Sequence, residues 1–166
     1  MGTVGSRPRS CFAPFQKSFS INSSASREDC QCPKTESWKE DTDCCSWGVV
    51  TSDMRTGHAI GLDLGCSMLH GTLNSNSTLF FLGHLQKLDL SHNNFDRSPV
   101  SSQFGQFLHL THLNLNSSNF VGEVPSKISH LSRMVSLDLS YNSELMVEPI
   151  AFHKLAQNLT QLRELH

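Results

Sequence analysis

The 166-residue sequence predicts an α/β solenoid, in which short repeats stack to form a curved parallel β-sheet. The central segment shows the pattern of one repeat. Its apolar positions are Leu85, Leu88, Leu90 and Phe95, and its polar position is Asn93. Neither the 3.6-residue period of a helix nor the 2-residue period of a strand fits this whole segment. The spacing instead indicates a short strand that is followed by a turn, which is the unit of a repeat protein.

The same pattern recurs along the chain. The leucines at the strand centres of successive copies are Leu62, Leu88, Leu113, Leu137 and Leu165, at spacings of 26, 25, 24 and 28 residues. Leucine-rich repeats are about 20–29 residues long. In residues 88–90 the two leucines point to one face of the strand and Asp89 points to the other. Stacked copies can bury these leucines in a continuous core, whereas one copy cannot. We therefore predict a leucine-rich-repeat solenoid.

The turn after each strand depends on a polar side chain. The amide of Asn93 can donate to one buried backbone group and accept from another. Ser67 and Ser118 stand at the equivalent positions of their repeats and can do this less fully, which predicts looser turns there. Residues 122–125, of the form Gly-x-Val-Pro, resemble the ending of the plant-specific subclass of these repeats.

Composition narrows the class of protein. The net charge of −2 and the pI of about 6.5 give no attraction to nucleic acids or to acidic membrane surfaces. No apolar run approaches the about 18 residues of a transmembrane helix, so no membrane span is predicted. Residues 1–10 carry no apolar segment of the kind that a signal peptide needs. The low charged fraction of 17%, with abundant Ser and Asn, favours a secreted and glycosylated surface.

We divide the chain into three parts. Residues 1–10 are predicted to be disordered, residues 11–58 to form an N-terminal cap, and residues 59–166 to hold about four repeats and an incomplete fifth. In the cap, the spacing of Phe12, Phe15 and Phe19 predicts a short helix within residues 11–21. Residues 49–51 and 58–64 are predicted to form a hairpin that extends the sheet at its edge.

The cysteines cluster at the N-terminal side of the repeats. They are Cys11, Cys30, Cys32, Cys44, Cys45 and Cys66. This clustering indicates a cap that disulfides hold together. Six cysteines allow 15 pairings, and composition does not select one of them.

A resemblance to a known family becomes visible in the cap. The motif Trp38-x5-Cys44-Cys45-x-Trp47, followed by the hairpin and by residues 57–64, resembles the N-terminal cap of plant extracellular leucine-rich-repeat proteins. Residues 33–40 and 75–80 are similar to the receptor-like proteins of the nightshade fungal-resistance class in particular. The resemblance implies an ectodomain fragment at the plasma-membrane surface or in the apoplast. It would recognise a protein or peptide ligand in defence and signal only through a partner such as a receptor kinase co-receptor.

Two features depart from the family pattern. Val49 stands at a family glycine, and Ser52 stands at the family's third cysteine. By the resemblance, Cys44 would pair with Cys11, Cys30 or Cys32, and Cys45 would lose its partner; Cys45 could pair with Cys66 or stay reduced. We expect a weakened cap. The family also continues through many more repeats, so the chain resembles an N-terminal fragment or a truncated gene copy, with an exposed apolar edge at the last repeat.

The outward positions of the strands form columns on the concave face, which is where solenoids bind partners. The candidate binding residues are Lys87, Asp89, Ser91, His92, His112, Asn114, Asn116, Ser136, Asp138, Ser140 and Tyr141. The simpler interpretation of each single residue is an ordinary solvated side chain. The face as a whole is the predicted ligand site.

Other chemistry is weakly supported by the sequence. Four Asn-x-Ser/Thr motifs, at Asn22, Asn76, Asn116 and Asn158, are candidate N-glycosylation sites. The spacings of the cysteines and histidines do not suit zinc, and no catalytic motif is present, so we expect no metal, no cofactor and no enzyme activity. The alternatives to a receptor fragment are a secreted protein like the polygalacturonase inhibitors and a non-functional gene copy.

Overall fold

The computed structural model describes residues 18–30, 33–37 and 47–166. The strands in chain order are β1 (Ser20–Ile21), β2 (Val50–Ser52), β3 (Ala59–Asp63), β4 (Leu69–His70), β5 (Lys87–Asp89), β6 (His112–Asn114), β7 (Val121–Glu123), β8 (Ser136–Asp138), β9 (Glu144–Met146) and β10 (Glu164–Leu165). The α-helix α1 spans Pro149–Asn158. Short 3₁₀ segments occupy Ser23–Ala25, Lys34–Ser37, Thr78–Phe81, Ser102–Gln106 and Ser126–His130.

The main sheet has the strand order β10-β8-β6-β5-β3-β2 within the described residues. Its strands are parallel except for β2, which is antiparallel to β3. The register places the five repeat leucines side by side, from Leu62 through Leu88, Leu113 and Leu137 to Leu165. The predicted solenoid class and the predicted edge hairpin are both confirmed. The proposed domain boundaries stay a prediction.

The core lies behind the main sheet. Leu88 and Leu90 are 1% and 0% exposed, as the alternation of the strand requires. Behind them, the rings of Phe95 and Phe120 stack with centroids 5.1 Å apart, one from each of two successive repeats. These two repeats therefore contribute leucines to the front of the core and a phenylalanine ring to its back, and Leu69 is buried at the equivalent position of the first repeat.

The connection opposite the sheet changes with repeat length. The shorter repeats close through 3₁₀ segments such as Ser102–Gln106 and Ser126–His130. The 28 residues from Leu137 to Leu165 leave room for the longer α1 helix, which buries Ala151 and Leu155 against the neighbouring segment. Between the main sheet and these segments, β7 and β9 form a second parallel pair.

The serine turns and the asparagine turns share one backbone conformation. The residue before the turn position is left-handed in every repeat, with φ of 57° at Cys66, 54° at His92, 50° at Ser117 and 55° at Tyr141. The prediction of looser turns is wrong for Ser118, where other bonds replace the missing amide, and it stays a prediction for Ser67, whose hydroxyl has no partner among the described residues. At Ser118 the hydroxyl donates to the carbonyl oxygen of Leu90 at 2.8 Å, and the Ser118 carbonyl accepts from the N–H of Phe95 at 3.0 Å.

The N-terminal segment pairs with the first repeat. β1 is antiparallel to β4, and the N–H of Asn22 donates to the carbonyl oxygen of Met68 at 2.8 Å. The predicted helix is therefore wrong for Ser20–Ile21, because these residues gain partners as a strand. Residues 11–17, which carry the rest of that prediction, lie outside the described residues. Trp47 is 7% exposed and joins the core cluster.

A disulfide fixes this segment to the first repeat. Cys30 and Cys66 are bonded, with their Cα atoms 5.3 Å apart. This bond corrects two expectations, because Cys30 is no longer available to Cys44 and Cys66 is no longer available to Cys45. The chemical reason is proximity, since the pairing of β1 with β4 brings the Cys30 segment beside the turn that carries Cys66. Cys11, Cys32, Cys44 and Cys45 lie outside the described residues.

The last repeat leaves apolar side chains uncovered, as the sequence predicts. Met146, Ile150, Phe152 and Leu165 are 56%, 73%, 54% and 47% exposed. In the part of the chain that the structure describes, none of the helices has the length and apolar character of a membrane span.

Candidate functional site

The concave face of the main sheet forms a shallow, open groove of about 420 Å³. Its floor and walls come from successive strands, because the residues that alternate with the buried leucines all point into it. Six of the predicted binding residues line this groove, namely Lys87, Asp89, His112, Asn114, Ser136 and Asp138.

The aspartates of the groove hold the turns that follow their strands. Oδ1 of Asp89 accepts the N–H and the hydroxyl of Ser91, at 2.8 and 2.6 Å. Oδ1 of Asp138 accepts the same two groups of Ser140, at 3.0 and 2.5 Å. These carboxylates thus have a structural role in the turns, and their role in ligand binding stays a prediction. Ser91 is only 4% exposed, so this candidate is part of the turn and not of the accessible surface.

A ladder of amides connects the middle repeats. Nδ2 of Asn114 donates to Oδ2 of Asp89 at 3.1 Å, and Oδ1 of Asn114 accepts the N–H of Asn116 at 3.0 Å. Nδ2 of Asn116 in turn donates to the hydroxyl of Ser140 at 2.6 Å. The groove therefore presents side chains that are already fixed by their neighbours before any ligand binds.

A second column runs beside the first and is less engaged. Lys87, His112 and Ser136 are aligned by the register of β5, β6 and β8. Lys87 is exposed, and Nδ1 of His112 lies 2.8 Å from the hydroxyl of Thr111. This column supplies an ammonium group, an imidazole ring and a hydroxyl to the groove.

The two candidate binding residues at the strand ends, Tyr141 and His92, differ in their exposure to solvent. Tyr141 is 85% exposed and its hydroxyl can reach solvent. His92 is half-buried, and among the described residues its buried Nδ1 has no hydrogen-bond partner. Both residues have left-handed backbones, so the turn itself directs their side chains away from the strand.

The sequence did not predict one ion pair at the groove, that of Lys34 with Asp63. Nζ of Lys34 pairs with Oδ1 of Asp63 at 2.7 Å. Asp63 belongs to β3, whereas Lys34 lies in the N-terminal cap region, 29 residues earlier. The cap thus reaches the first strand of the concave face. No sequence pattern signals this pair, because a loop lysine can meet any nearby carboxylate.

The glycosylation candidates fall into two groups. Asn22, Asn76 and Asn158 are exposed; Oδ1 of Asn22 accepts the N–H of Ser24 at 2.9 Å, and Nδ2 of Asn158 donates to the hydroxyl of Ser129 at 3.4 Å. Asn116 is half-buried just after β6, and its amide is engaged with Ser140. A glycan on Asn116 would break that bond and cover part of the face.

The described part of the chain shows no cluster of side chains that could form a metal site. Within residues 18–30, 33–37 and 47–166, no three His, Cys, Asp or Glu side chains converge as metal ligands would. The groove offers hydrogen-bonding and charged groups, which suit binding.

Comparison with known proteins identifies the relatives. The model of the Leucine Rich Repeat family matches residues 84–107 and 109–131. Receptor-like protein 6 of Arabidopsis thaliana is 47% identical over 139 residues, which are 80% of this chain and 14% of that protein. Receptor-like protein Cf-9 of Solanum pimpinellifolium is 47% identical over 161 residues, 92% of this chain and 19% of that protein. The chain thus spans less than a fifth of these relatives.

Solved structures agree with the fold. The BIR2 ectodomain of Arabidopsis thaliana has a TM-score of 0.68 at 22% identity, covering 93% of this chain and 75% of that one. A second structure is the ectodomain of the Arabidopsis thaliana receptor kinase GASSHO1/SCHENGEN3 in complex with CASPARIAN STRIP INTEGRITY FACTOR 2. It has a TM-score of 0.64 at 27% identity, and the match covers 78% of this chain and 15% of that one. The plant peptide hormone receptor RGFR1, in complex with RGF2, has a TM-score of 0.55 at 25% identity, and the match covers 73% of this chain and 17% of that one. The chain is therefore a leucine-rich-repeat protein related to the plant receptor-like proteins, among them Cf-9.

Proposed function

We propose that this chain is part of the ectodomain of a plant defence receptor-like protein and binds a protein or peptide ligand on its concave face. The observation that carries the proposal is the groove itself, where the column of Lys87, His112 and Ser136 lies beside the fixed acceptors of Asp89 and Asp138. A face with an ammonium, an imidazole and a hydroxyl in one column and carboxylates in the next can pair with the N–H and C=O groups that a polypeptide carries.

The fixed side chains favour binding. Asp89 and Asp138 are held by the turn serines, so a ligand does not have to order them. Such preorganisation lowers the entropy that binding costs. The ammonium of Lys87 and the ring of His112 remain at the surface of the groove to contact the ligand.

The relatives support the class of ligand and the biological setting. Two of the similar structures, at 27% and 25% identity, are receptors in complex, namely GASSHO1/SCHENGEN3 with CASPARIAN STRIP INTEGRITY FACTOR 2 and the peptide hormone receptor RGFR1 with RGF2. The relation to Cf-9 supports a role in defence. We propose that the whole protein works at the extracellular face of the plasma membrane and signals through a co-receptor kinase.

A selection of peptides tests the binding face. A random peptide library displayed on phage is panned against the immobilised chain, and the enriched peptides are measured on two variants that change the groove, Ser136→Trp and Lys87→Glu. Lys154→Glu, on α1, is the matched control for the change of charge. We expect both groove variants to weaken binding about tenfold or more and the control to leave it unchanged. Enriched peptides that bind all the variants equally would contradict the proposal, as would a library that yields none.

Glycosylation tests the proposed location. The chain is expressed in plant cells, treated with an enzyme that removes N-linked glycans, and compared by gel mobility. We propose modification at the exposed Asn22, Asn76 and Asn158, so treatment should increase mobility and Asn76→Gln should remove one step of the shift. An unchanged mobility would contradict entry into the secretory pathway.

The alternative function, that of a secreted polygalacturonase inhibitor, is tested by an enzyme-inhibition assay. Inhibition of a fungal polygalacturonase by the purified chain would support a protein like the secreted inhibitors. The absence of inhibition, together with peptide binding on the groove, would favour the receptor fragment.

A further inference from the structure

A row of stacked basic side chains runs along the edge of the main sheet, before the strands begin. We call this row the histidine column. It consists of His58, His84, His109 and Arg133, each four residues before the central leucine of its repeat. The rings of His58 and His84 are 3.8 Å apart and inclined by 11°, and those of His84 and His109 are 6.1 Å apart and inclined by 14°. Nη1 of Arg133 lies 3.4 Å from Nδ1 of His109.

The column faces solvent, and within the described residues none of its members forms an ion pair. All four side chains are exposed. The ion pairs between described residues lie elsewhere, and none of them includes a member of the column. One carboxylate lies nearby, that of Asp53 in the hairpin turn, whose pKa is lowered mainly by the N–H of Arg55 and to a smaller extent by His58.

Charged groups of both signs lie on the strands that follow the column. Arg55 shares the hairpin turn with Asp53, Lys87 and His112 follow His84 and His109, and the register places Glu164 in the row of Lys87 and His112 and Asp63, Asp89 and Asp138 in the next row. Asp63 is already paired with Lys34, and Asp89 and Asp138 accept from the turn serines. Protonation of the three histidines would therefore add positive charge beyond that which Asp53 and Glu164 can balance. Stacked imidazolium rings repel one another, and this repulsion falls when an outside anion lies against them.

The stacking does not suit a shared metal ion. The rings lie face to face, so their nitrogen lone pairs are nearly parallel and do not converge on one point. A tetrahedral zinc site needs nitrogens about 2.0–2.1 Å from a common centre. Consistently, no group of three metal-binding side chains was found in the described residues.

Two exposed apolar side chains accompany the column. Phe81 and Leu108, 81% and 60% exposed, lie on the turns that lead into His84 and His109. Phenylalanine and arginine are both enriched at protein interfaces. A surface that combines cationic and apolar groups fits a polypeptide better than it fits a uniformly charged polysaccharide.

We propose that the histidine column is a docking surface for an acidic, extended segment of a partner protein, and that this docking tightens as the pH falls. Histidine is the side chain whose charge ordinarily changes between pH 5 and 8. Neighbouring strands are about 4.8 Å apart, so four side chains span about 15 Å, which an extended segment of about five residues covers. This surface lies outside the groove of the proposed function and does not depend on it.

A fluorescent peptide of alternating Glu and Leu tests the proposal, with the matching Gln and Leu peptide as the uncharged probe. Binding to the whole chain is measured by fluorescence anisotropy at pH 5.5 and at pH 7.5. We expect the acidic peptide to bind about tenfold or more tightly at the lower pH and to weaken as salt is raised, because salt screens exposed charges. The variant with His84→Gln and His109→Gln should lose this pH dependence.

The control variant carries His153→Gln, an exposed histidine on α1 away from the column, and should keep the pH dependence. Circular dichroism of each variant verifies that the fold is unchanged. Equal binding of both peptides, no binding at either pH, or an equal loss in the control would each overturn the proposal. Tight binding of polygalacturonate in place of the peptide would also overturn it, because the occupant would then be a polysaccharide. None of these outcomes changes the peptide binding expected of the groove variants Ser136→Trp and Lys87→Glu. Either proposal can therefore fail while the other stands.

Discussion

Nδ2 of Asn93 donates a hydrogen bond to the carbonyl oxygen of Leu64, one repeat earlier, at 2.8 Å. Oδ1 of the same side chain accepts the N–H groups of Ser67 and Leu69, at 3.2 and 3.0 Å. One buried amide therefore joins two successive repeats. Asn142 forms the equivalent bonds to Leu115, Ser118 and Phe120. The stacking of the repeats thus depends on these amides as well as on leucines.

Asn93→Ala is expected to destabilise the protein strongly. The side chain is 2% exposed, and its loss leaves the N–H groups of Ser67 and Leu69 buried without these partners. Each such group costs about 1–3 kcal/mol, so we expect a loss of about 3 kcal/mol or more in the free energy of unfolding. Urea denaturation measures it. Asn74→Ala, at an exposed position, is the control and should change stability by less than about 0.5 kcal/mol.

The two serines at the asparagine position should respond in opposite ways to alanine. Both are fully buried, but the hydroxyl of Ser118 donates to Leu90 whereas that of Ser67 has no partner among the described residues. Ser118→Ala should cost about 1 kcal/mol. Ser67→Ala should leave stability unchanged or raise it by about 1 kcal/mol, because a buried hydroxyl without a partner is unfavourable. Equal losses in the two variants would show that Ser67 also has a partner.

The regular part of the fold could be predicted from the sequence because repetition makes it visible. The spacing of the leucines is enough to place Leu88 beside Leu113 in the sheet. The α1 helix was missed, although its signals are present: Pro149 stands at its start, and Ala151, Leu155 and Leu159 recur every four residues. The 28-residue spacing of the last repeat was the further clue that its connection differs from the others.

The site was predicted only in part, because tertiary contacts determine the rest. Alternation along the strands correctly placed Lys87 and His112 in the groove. The capping of Ser91 by Asp89 depends on the backbone of the turn, which the strand pattern does not define. The pairing of Cys30 with Cys66 depends on the approach of two strands that are distant in sequence, and no spacing rule signals it.

The disulfide between Cys30 and Cys66 should be recovered by peptide mapping. Tryptic digestion without reduction should link the peptide of residues 28–34 to that of residues 56–87, with Cys32→Ser used to assign the bond to Cys30. The variant with both Cys30→Ser and Cys66→Ser should lose about 2–5 kcal/mol of stability, as is usual when a small secreted domain loses a native disulfide. A linked peptide that contains Cys44 or Cys45 in place of Cys66 would contradict the pairing.

The ion pair of Arg97 and Glu144 should contribute to stability only above acidic pH. Nη2 of Arg97 lies 2.6 Å from Oε2 of Glu144, and this hydrogen bond lowers the pKa of Glu144. The contribution is therefore present above the unfolded-state pKa of a glutamate, about 4.3, and is lost as the pH falls through the lower folded-state pKa. A double-mutant cycle with Arg97→Gln and Glu144→Gln should give a small favourable coupling at pH 7 that decreases as the pH is lowered below about 4.3. The coupling should be small because both side chains are more than half exposed, and a coupling that does not decrease at all on acidification would contradict a charge pair as its origin.

Gly105→Ala should be destabilising because two repeats approach closely there. A Cβ atom at Gly105 would lie 2.6 Å from the backbone carbonyl oxygen of Lys127, in the 3₁₀ segment of the next repeat. The obstacle is backbone and not a flexible side-chain end, so the segments must separate, at a cost of about 1–3 kcal/mol. Gly83→Ala is the matched control, since a Cβ there meets nothing within 4 Å. Thermal unfolding of the two variants should show a clearly lower midpoint for Gly105→Ala alone. Equal midpoints would mean that the 3₁₀ segments can move apart freely, and the packing of Ser102–Gln106 on Ser126–His130 would then contribute little to the rigidity of the solenoid.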